Sequence, residues 1–237
     1  MSHRMNPFLE RVSERSTSDH EFVRFFSPKI LDRLPEDTLA SGVHVFRSPP
    51  GAGKTTLLRA FTPSALRAFL NARHLEDGAD AYAGLLSRGV FDNQDCPQLL
   101  GVLLSCASGY ADLPAGATGI KDGLFRALLN CRIVLRALRS LGVLLGRGPE
   151  NLADIRVEYD DQTLHLNSIP SSDTLPPLLS WAEHRERAIY AELDSVAGRF
   201  RESVADLRFE GILWLQNVHF VIGDVRVAPK RLLMIDD

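Results

Sequence analysis

The sequence FRSPPGAGKTTLLRAF, residues 46–61, decides the fold because a glycine-rich turn within it separates β-forming residues from helix-forming ones. Upstream, the run GVHVFR over residues 42–47 predicts a buried strand that leads into the turn. Downstream, residues 55–61 predict a helix. In a strand, glycine loop and helix of this kind, backbone N–H groups converge at the start of the helix, and such a cradle suits phosphate groups.

The loop matches most of the phosphate-binding pattern G-x-x-x-x-G-K-[ST], known as Walker A. Gly53, Lys54 and Thr55 match its second half, and Ser48 replaces its first glycine. We expect Lys54 to reach the β and γ phosphates and the Thr55 hydroxyl to help ligate Mg²⁺. The alternative is a chance coincidence of a strand, a Pro-Pro-Gly turn and a helix. The residues predicted to bind the nucleotide are Ser48, Pro49, Pro50, Gly51, Ala52, Gly53, Lys54, Thr55 and Thr56.

The sequence ends on a second candidate motif, Leu-Leu-Met-Ile-Asp-Asp, over residues 232–237. An apolar strand that ends in carboxylates is the Walker B pattern, and a phosphate-binding loop needs such a strand to hold its Mg²⁺. We therefore expect Asp236 to be the metal partner and Asp237 to orient the attacking water, with Lys54 completing the catalytic set. Aspartate is one methylene shorter than glutamate, which predicts slow turnover. The alternative is an apolar strand that simply ends in surface acids.

Together, the two motifs resemble those of AAA+ ATPases related to the origin-recognition and initiator family. This resemblance covers about residues 39–107 and the last ten residues, and it includes the apolar run LLGVLLSCA, which predicts a strand buried on both faces. It implies Mg²⁺-dependent ATP binding and hydrolysis that drives or switches a macromolecular complex. The double aspartate is also similar to STAND-type switch ATPases, in which hydrolysis is marginal, and a P-loop kinase is a third hypothesis.

The fold class expected is α/β, a P-loop NTPase core whose parallel sheet is flanked by helices, with a helical and hairpin insertion between the two motifs. We divide the chain into an N-terminal arm and helix (1–38), the first part of the core (39–107), the insertion (108–207) and strands ending in Walker B (208–237). Sensor, arginine-finger and lid segments are expected after residue 237 in either family. The sequence is therefore expected to be the N-terminal portion of a longer protein or a truncated product.

The insertion contains the strongest helix signal of the chain, over residues 122–145. Arg132, Arg136 and Arg139 lie on one stripe of this helix, where they can meet phosphate or acidic side chains or be the solvated face. Residues 155–166 predict a hairpin, a charged helix follows to about residue 204, and residues 209–227 predict one or two strands with a Gly223-Asp224 turn.

Composition restricts the partners that this chain can have. A net charge of −3 gives no global attraction to nucleic acids, so a nucleic-acid partner is not indicated by charge and would need a local basic face. No signal peptide or membrane span is evident, which predicts a cytoplasmic protein. ATP and GTP are not distinguished, because no guanine-specific N-K-x-D motif is present. The arginine finger is expected from downstream sequence, a second copy or another subunit.

Other residue types predict structural roles. Cys96, Cys106 and Cys131 lie far apart and are expected to be reduced and structural. The histidines lack metal-ligand spacing, and His184 and His219 are expected on the surface or in a satisfied core position. No serine lies in a nucleophile elbow, so an acyl-transfer enzyme is not supported.

Overall fold

The computed structural model describes residues 18–35, 38–39, 43–47, 52–105, 118–160, 166, 169–193 and 210–236. Its contacts group the chain into two compact units, Met1–Leu99 and Leu100–Asp237. The fold is mixed α/β, with helices and small sheets. None of the described helices is long and apolar enough to span a membrane.

The regular elements described in the first unit are helices. Its first helix begins after Ser18, whose Oγ accepts a hydrogen bond of 3.2 Å from the backbone N–H of Glu21 and caps the helix. Two later helices begin with a proline, the 3₁₀ helix at Pro28 and an α-helix at Pro63. At the first position of a helix, the missing N–H of proline costs no hydrogen bond. The elements are α1 (Asp19–Phe25), a 3₁₀ helix (Pro28–Arg33), α2 (Lys54–Ala60), α3 (Pro63–Ala72) and α4 (Glu76–Ser87).

Aromatic rings form the centre of this unit. The ring centroids of Phe22 and Phe26, in the N-terminal segment, lie 6.0 and 5.1 Å from the ring centroid of Phe69 on α3. Leu66 and Leu85, on α3 and α4, are fully buried in the same unit. Burial of such side chains stabilises a fold by about 1.5–3 kcal/mol each, so this cluster accounts for the way in which α1 packs on α3.

The second unit is built on the long helix α5 (Thr118–Leu145), which packs against α6 (Leu175–Leu193) and α7 (Gly211–Asn217). Leu124, Leu128 and Cys131 of α5 form a buried cluster with Ile189 of α6. Gly211 lies against α5 so closely that a Cβ there would be 3.1 Å from Asn130 Cα, and its N–H donates to Asn130 Oδ1 at 2.9 Å. This contact explains both the glycine and the buried asparagine.

Two small sheets complete the second unit. The strands β1 (Leu99–Ser105) and β5 (Lys230–Asp236) form a parallel pair. The strands β2 (Arg156–Tyr159), β3 (Val218–Ile222) and β4 (Val225–Val227) form an antiparallel sheet in that order. A two-residue turn joins β3 to β4, and Gly223 in its first position has φ +59°, as a II′ turn requires. A short 3₁₀ helix also spans Pro149–Asn151.

Several sequence predictions agree with these elements. The helices expected over 55–61 and 122–145 correspond to α2 and α5, and the two apolar strands correspond to β1 and β5. The Gly223-Asp224 turn is also confirmed. The parallel sheet has only two strands among the described residues, which is smaller than the core we expected.

Two expectations are corrected. Residues 43–47 form no strand and are exposed, with Val43 95% and Val45 74% accessible. Residues 211–217, expected as strand, form α7 because Trp214 and Leu215 are buried on one side of it. The strand at 156–159 pairs with β3, and the second strand of the hairpin expected over 155–166 lies mostly outside the described residues.

Candidate functional site

The structure describes part of the predicted phosphate-binding loop. Ala52, Gly53, Lys54, Thr55 and Thr56 are described, and all five lie in the first unit. They are consecutive at the start of α2, as the motif predicts. The four other predicted ligands, Ser48, Pro49, Pro50 and Gly51, lie outside the described residues.

Gly53 is the N-cap of α2 and has a left-handed backbone conformation, with φ +89° and ψ +17°. A residue with a side chain adopts this conformation only with strain, so the position requires glycine. Space is also limited, because a Cβ at this position would lie 3.2 Å from Ile30 Cδ1. The carbonyl of Gly53 accepts the first helical hydrogen bond, from the N–H of Leu57 at 2.9 Å. The glycine therefore turns the chain directly into the helix.

The residues after Gly53 place polar groups on the first turn of α2. Lys54 and Thr56 are half-buried, whereas the Thr55 side chain is exposed to solvent. Backbone N–H groups in the first turn of a helix have no partner within the helix, and they carry partial positive charge. An ammonium group, a hydroxyl group and these N–H groups together are suited to a phosphate ester and its cation.

The orientation of α2 depends on residues that sequence reasoning did not identify. Arg59 Nη2 donates to Asp19 Oδ1 of α1 at 3.0 Å, and its guanidinium carbon lies 4.5 Å from the centre of the Phe22 ring. Ile30 of the 3₁₀ helix packs beside Gly53. Asp19 and Arg59 are 40 positions apart in the sequence, so no local pattern connects them.

The second motif lies in the second unit, on β5. The strand begins at Lys230 and ends at Asp236, whose side chain is half-buried. Met234 is buried, but Ile235 is 56% exposed, so the strand is covered incompletely among the described residues. Asp237 lies outside the described residues. The structure thus places Lys54 and Asp236 in different compact units.

A half-buried arginine fixes the start of β5. The guanidinium of Arg231 donates to the carbonyls of Ala228, at 2.7 Å, and Val218, at 2.5 Å, and it stacks on Phe220. Burial lowers the pKa of Arg231 to about 10. The group nevertheless stays charged at neutral pH, so these contacts anchor β5 to the β3–β4 hairpin.

The other candidate residues have structural partners. On the arginine stripe, Arg132 and Arg139 pair with Glu186 and Glu183 of α6, each at 3.1 Å, and Arg136 is exposed. Of the alternatives considered for this stripe, the structure shows contact with acidic side chains at two of the three positions, Arg132 and Arg139.

The two histidines considered from the sequence also have ordinary environments. His219 is buried, and its Nε2 lies 2.6 Å from Asp160 Oδ2, a contact that lowers the pKa of Asp160. His184 is exposed on α6. Among the described residues, no group of three or more His, Cys, Asp or Glu side chains is placed to hold a metal ion.

The cysteines divide by burial. Cys131 is buried in the α5–α6 cluster, and desolvation raises its thiol pKa to about 12. Cys96 is exposed, and both are free thiols. The structural role predicted is confirmed for Cys131, is not observed for Cys96, and lies outside the described residues for Cys106.

Two cavities formed by described residues have no residue of α2 in their lining. The larger, about 510 Å³, is bounded by Tyr159, Ser172 and Arg226 among others in the second unit. The smaller, about 230 Å³, lies beside His20 and Leu75 in the first unit. Neither is lined by a residue of the predicted loop, so the loop remains the site with the clearest chemistry.

No protein-family model, curated protein or solved structure matches this chain. The function must therefore be argued from the chemistry of the loop and of β5.

Proposed function

We propose that the chain binds ATP with Mg²⁺ through residues 48–56 and hydrolyses it slowly, as an AAA+-type P-loop ATPase that drives or switches a macromolecular complex. The observation that carries the proposal is Gly53, whose left-handed conformation at the N-cap of α2 directs the chain from the glycine loop into a helix that begins with Lys54 and Thr55. A phosphate-binding loop requires this combination of backbone and side chains.

The residues fit the groups that they would hold. Glycine at position 53 allows the left-handed turn that leads into α2 and brings Lys54 and Thr55 into its first turn. In the proposal, the Lys54 ammonium contacts the β and γ phosphates, and the exposed Thr55 hydroxyl and the Asp236 carboxylate serve the cation. Magnesium sites on phosphates use one or two protein oxygens, so they need no larger carboxylate cluster.

The proposed hydrolysis is attack of water on the γ-phosphate, with Asp237 orienting that water. Bound Mg²⁺ would neutralise charge on the phosphate oxygens. An arginine finger from a second copy, another subunit or downstream sequence completes the proposal. The short reach of aspartate in this position favours slow turnover.

The double aspartate at positions 236 and 237 supports a second candidate, a nucleotide switch of the STAND type. In such a switch, bound ATP stabilises one conformation and hydrolysis is marginal. Turnover separates the two, since stimulated hydrolysis favours the ATPase and stoichiometric binding without it favours the switch. A P-loop kinase is the least supported, because of the long segment between the motifs.

The test is a titration of fluorescent ATP and Mg²⁺ into the wild type, Lys54→Ala and the control Lys29→Ala. Lys29 is an exposed lysine of the same unit, so its removal changes the charge equally. Loss of a charge-assisted contact costs about 1.5–3 kcal/mol, which weakens binding by about ten- to over a hundredfold. We expect this loss only in Lys54→Ala. Equal binding by all three proteins, or no binding by the wild type, would contradict the proposal.

A further inference from the structure

The phosphate-loop helix α2 is too short to fix its own orientation. It has seven residues, and isolated helices shorter than about 12 residues are marginal in water. Its direction must therefore come from contacts with the rest of the first unit. Leu57 and Ala60 are buried and supply an apolar contact, but apolar contacts are not directional.

Arg59 supplies a directional contact. Its guanidinium contacts both the Asp19 carboxylate, at 3.0 Å, and the face of the Phe22 ring, 4.5 Å from its centre. The Arg59 and Asp19 side chains are 19% and 30% exposed, so water screens their pairing only in part. A planar guanidinium that is hydrogen-bonded to a carboxylate and lies over a ring has a restricted position.

Arg59 lies on the same side of α2 as Thr55, since the two residues are four positions apart. A helix moves as a rigid unit over this length, about 6 Å. A shift of the guanidinium away from α1 therefore moves the first turn of α2, where Lys54 and Thr55 lie, by a comparable amount.

We propose that Arg59 is a positioning residue for nucleotide binding, which ties the first turn of α2 to α1 through Asp19 and Phe22. The inference rests on the proposed function of the loop. It also gives α1 a role, because the first helix then holds α2, which begins at Lys54, 29 residues after α1 ends at Phe25.

The experiment measures the Kd for fluorescent ATP with Mg²⁺, at a temperature where every variant is folded, in Asp19→Asn, Arg59→Met, Arg59→Lys and the double variant Asp19→Asn/Arg59→Met. The matched control is Arg24→Met, which removes another arginine contact between α1 and the rest of this unit, the exposed Arg24–Asp77 pair. Thermal unfolding without nucleotide is recorded for each protein.

We expect Asp19→Asn and Arg59→Met each to weaken binding about fivefold, and the double variant to be no weaker than Arg59→Met, because both changes break one contact. Arg59→Lys, which keeps the charge, should recover part of the affinity, and Arg24→Met should bind as the wild type does.

Unchanged affinity in Asp19→Asn and Arg59→Met, with only a lower unfolding temperature, overturns the inference and leaves the proposed function intact. A wild type that does not bind nucleotide contradicts the proposed function itself. If Arg59→Met does not fold, Asp19→Asn decides alone, since it keeps the size of a side chain that is only partly buried.

Discussion

At the scale of single residues, the conformation of Gly53 is the feature on which the site depends. Its φ of +89° belongs to the left-handed region, and Ile30 lies where a Cβ would point. Both the backbone and the neighbour therefore select glycine at this position. The selection acts at the residue that precedes Lys54, so a change there alters the direction in which α2 begins.

Gly53→Ala is predicted to lower the free energy of unfolding by about 1–2 kcal/mol through backbone strain. It should also weaken Mg²⁺-ATP binding, because relief of the strain and of the contact with Ile30 changes the direction in which α2 begins and so moves Lys54 and Thr55. Urea unfolding and the fluorescent ATP titration measure the two effects.

Gly223→Ala is the matched control for this change. Gly223 also has a positive φ, +59°, but a Cβ there meets nothing within 4 Å. It should lose similar stability and keep full nucleotide affinity. Retention of full affinity by Gly53→Ala would contradict the placement of phosphate at this residue.

At the scale of the elements, α5 and α6 are joined by ion pairs of unequal burial. Arg132 is 16% exposed and contacts both Glu186 and the Tyr190 hydroxyl, whereas Arg139 is 52% exposed and contacts Glu183. Removal of the less exposed cation leaves a carboxylate and a hydroxyl without this donor, whereas removal of the exposed one leaves its partner still paired with Arg187.

Arg132→Met is therefore predicted to cost about 1–3 kcal/mol of stability, and Arg139→Met less than about 1 kcal/mol. Arg136→Met, at the exposed third position of the stripe, should leave stability unchanged. Urea unfolding of the three variants gives the ranking. An equal loss in all three would show that the stripe acts through its total charge rather than through its individual contacts.

The elements also show which parts of the fold local sequence can predict. The helix α5 and the strands β1 and β5 follow from continuous or periodic apolar residues, whose burial is fixed by their own pattern. Residues 43–47 have the composition of a strand, but a strand exists only beside a partner, and no local pattern specifies that partner.

The residues that give the candidate site its chemistry could be predicted from the sequence, but the contacts that hold α2 in place could not. Gly53, Lys54 and Thr55 stand together in the sequence, so a motif identifies them. Arg59 and Asp19 are 40 positions apart, and Ile30 is distant from Gly53 in the chain. Contacts of this kind arise from packing, and a single sequence does not contain their pairing.

At the scale of the whole molecule, the two motifs fall in different compact units, with Lys54 in the first and Asp236 in the second. The sequence pattern predicts that both motifs bind one nucleotide, and experiment can test the role of each motif separately. In a P-loop site, the lysine contacts phosphate directly and is needed with or without the metal, whereas the Walker B carboxylate is needed only when Mg²⁺ is present.

Asp236→Asn is therefore predicted to weaken ATP binding about tenfold, or about 1.4 kcal/mol, in Mg²⁺, and to leave binding unchanged when EDTA removes the metal. Asp224→Asn is the control, because Asp224 is a fully exposed aspartate of the same unit, in the β3–β4 turn. Lys54→Ala should lose affinity under both conditions.

If Asp236→Asn binds as the wild type does in Mg²⁺ while Lys54→Ala does not, the phosphate loop acts without β5, and the resemblance to a complete Walker A and Walker B site fails. Equal losses with and without Mg²⁺ would instead assign Asp236 to the structure of the unit, because a carboxylate that serves the metal cannot matter once the metal is gone.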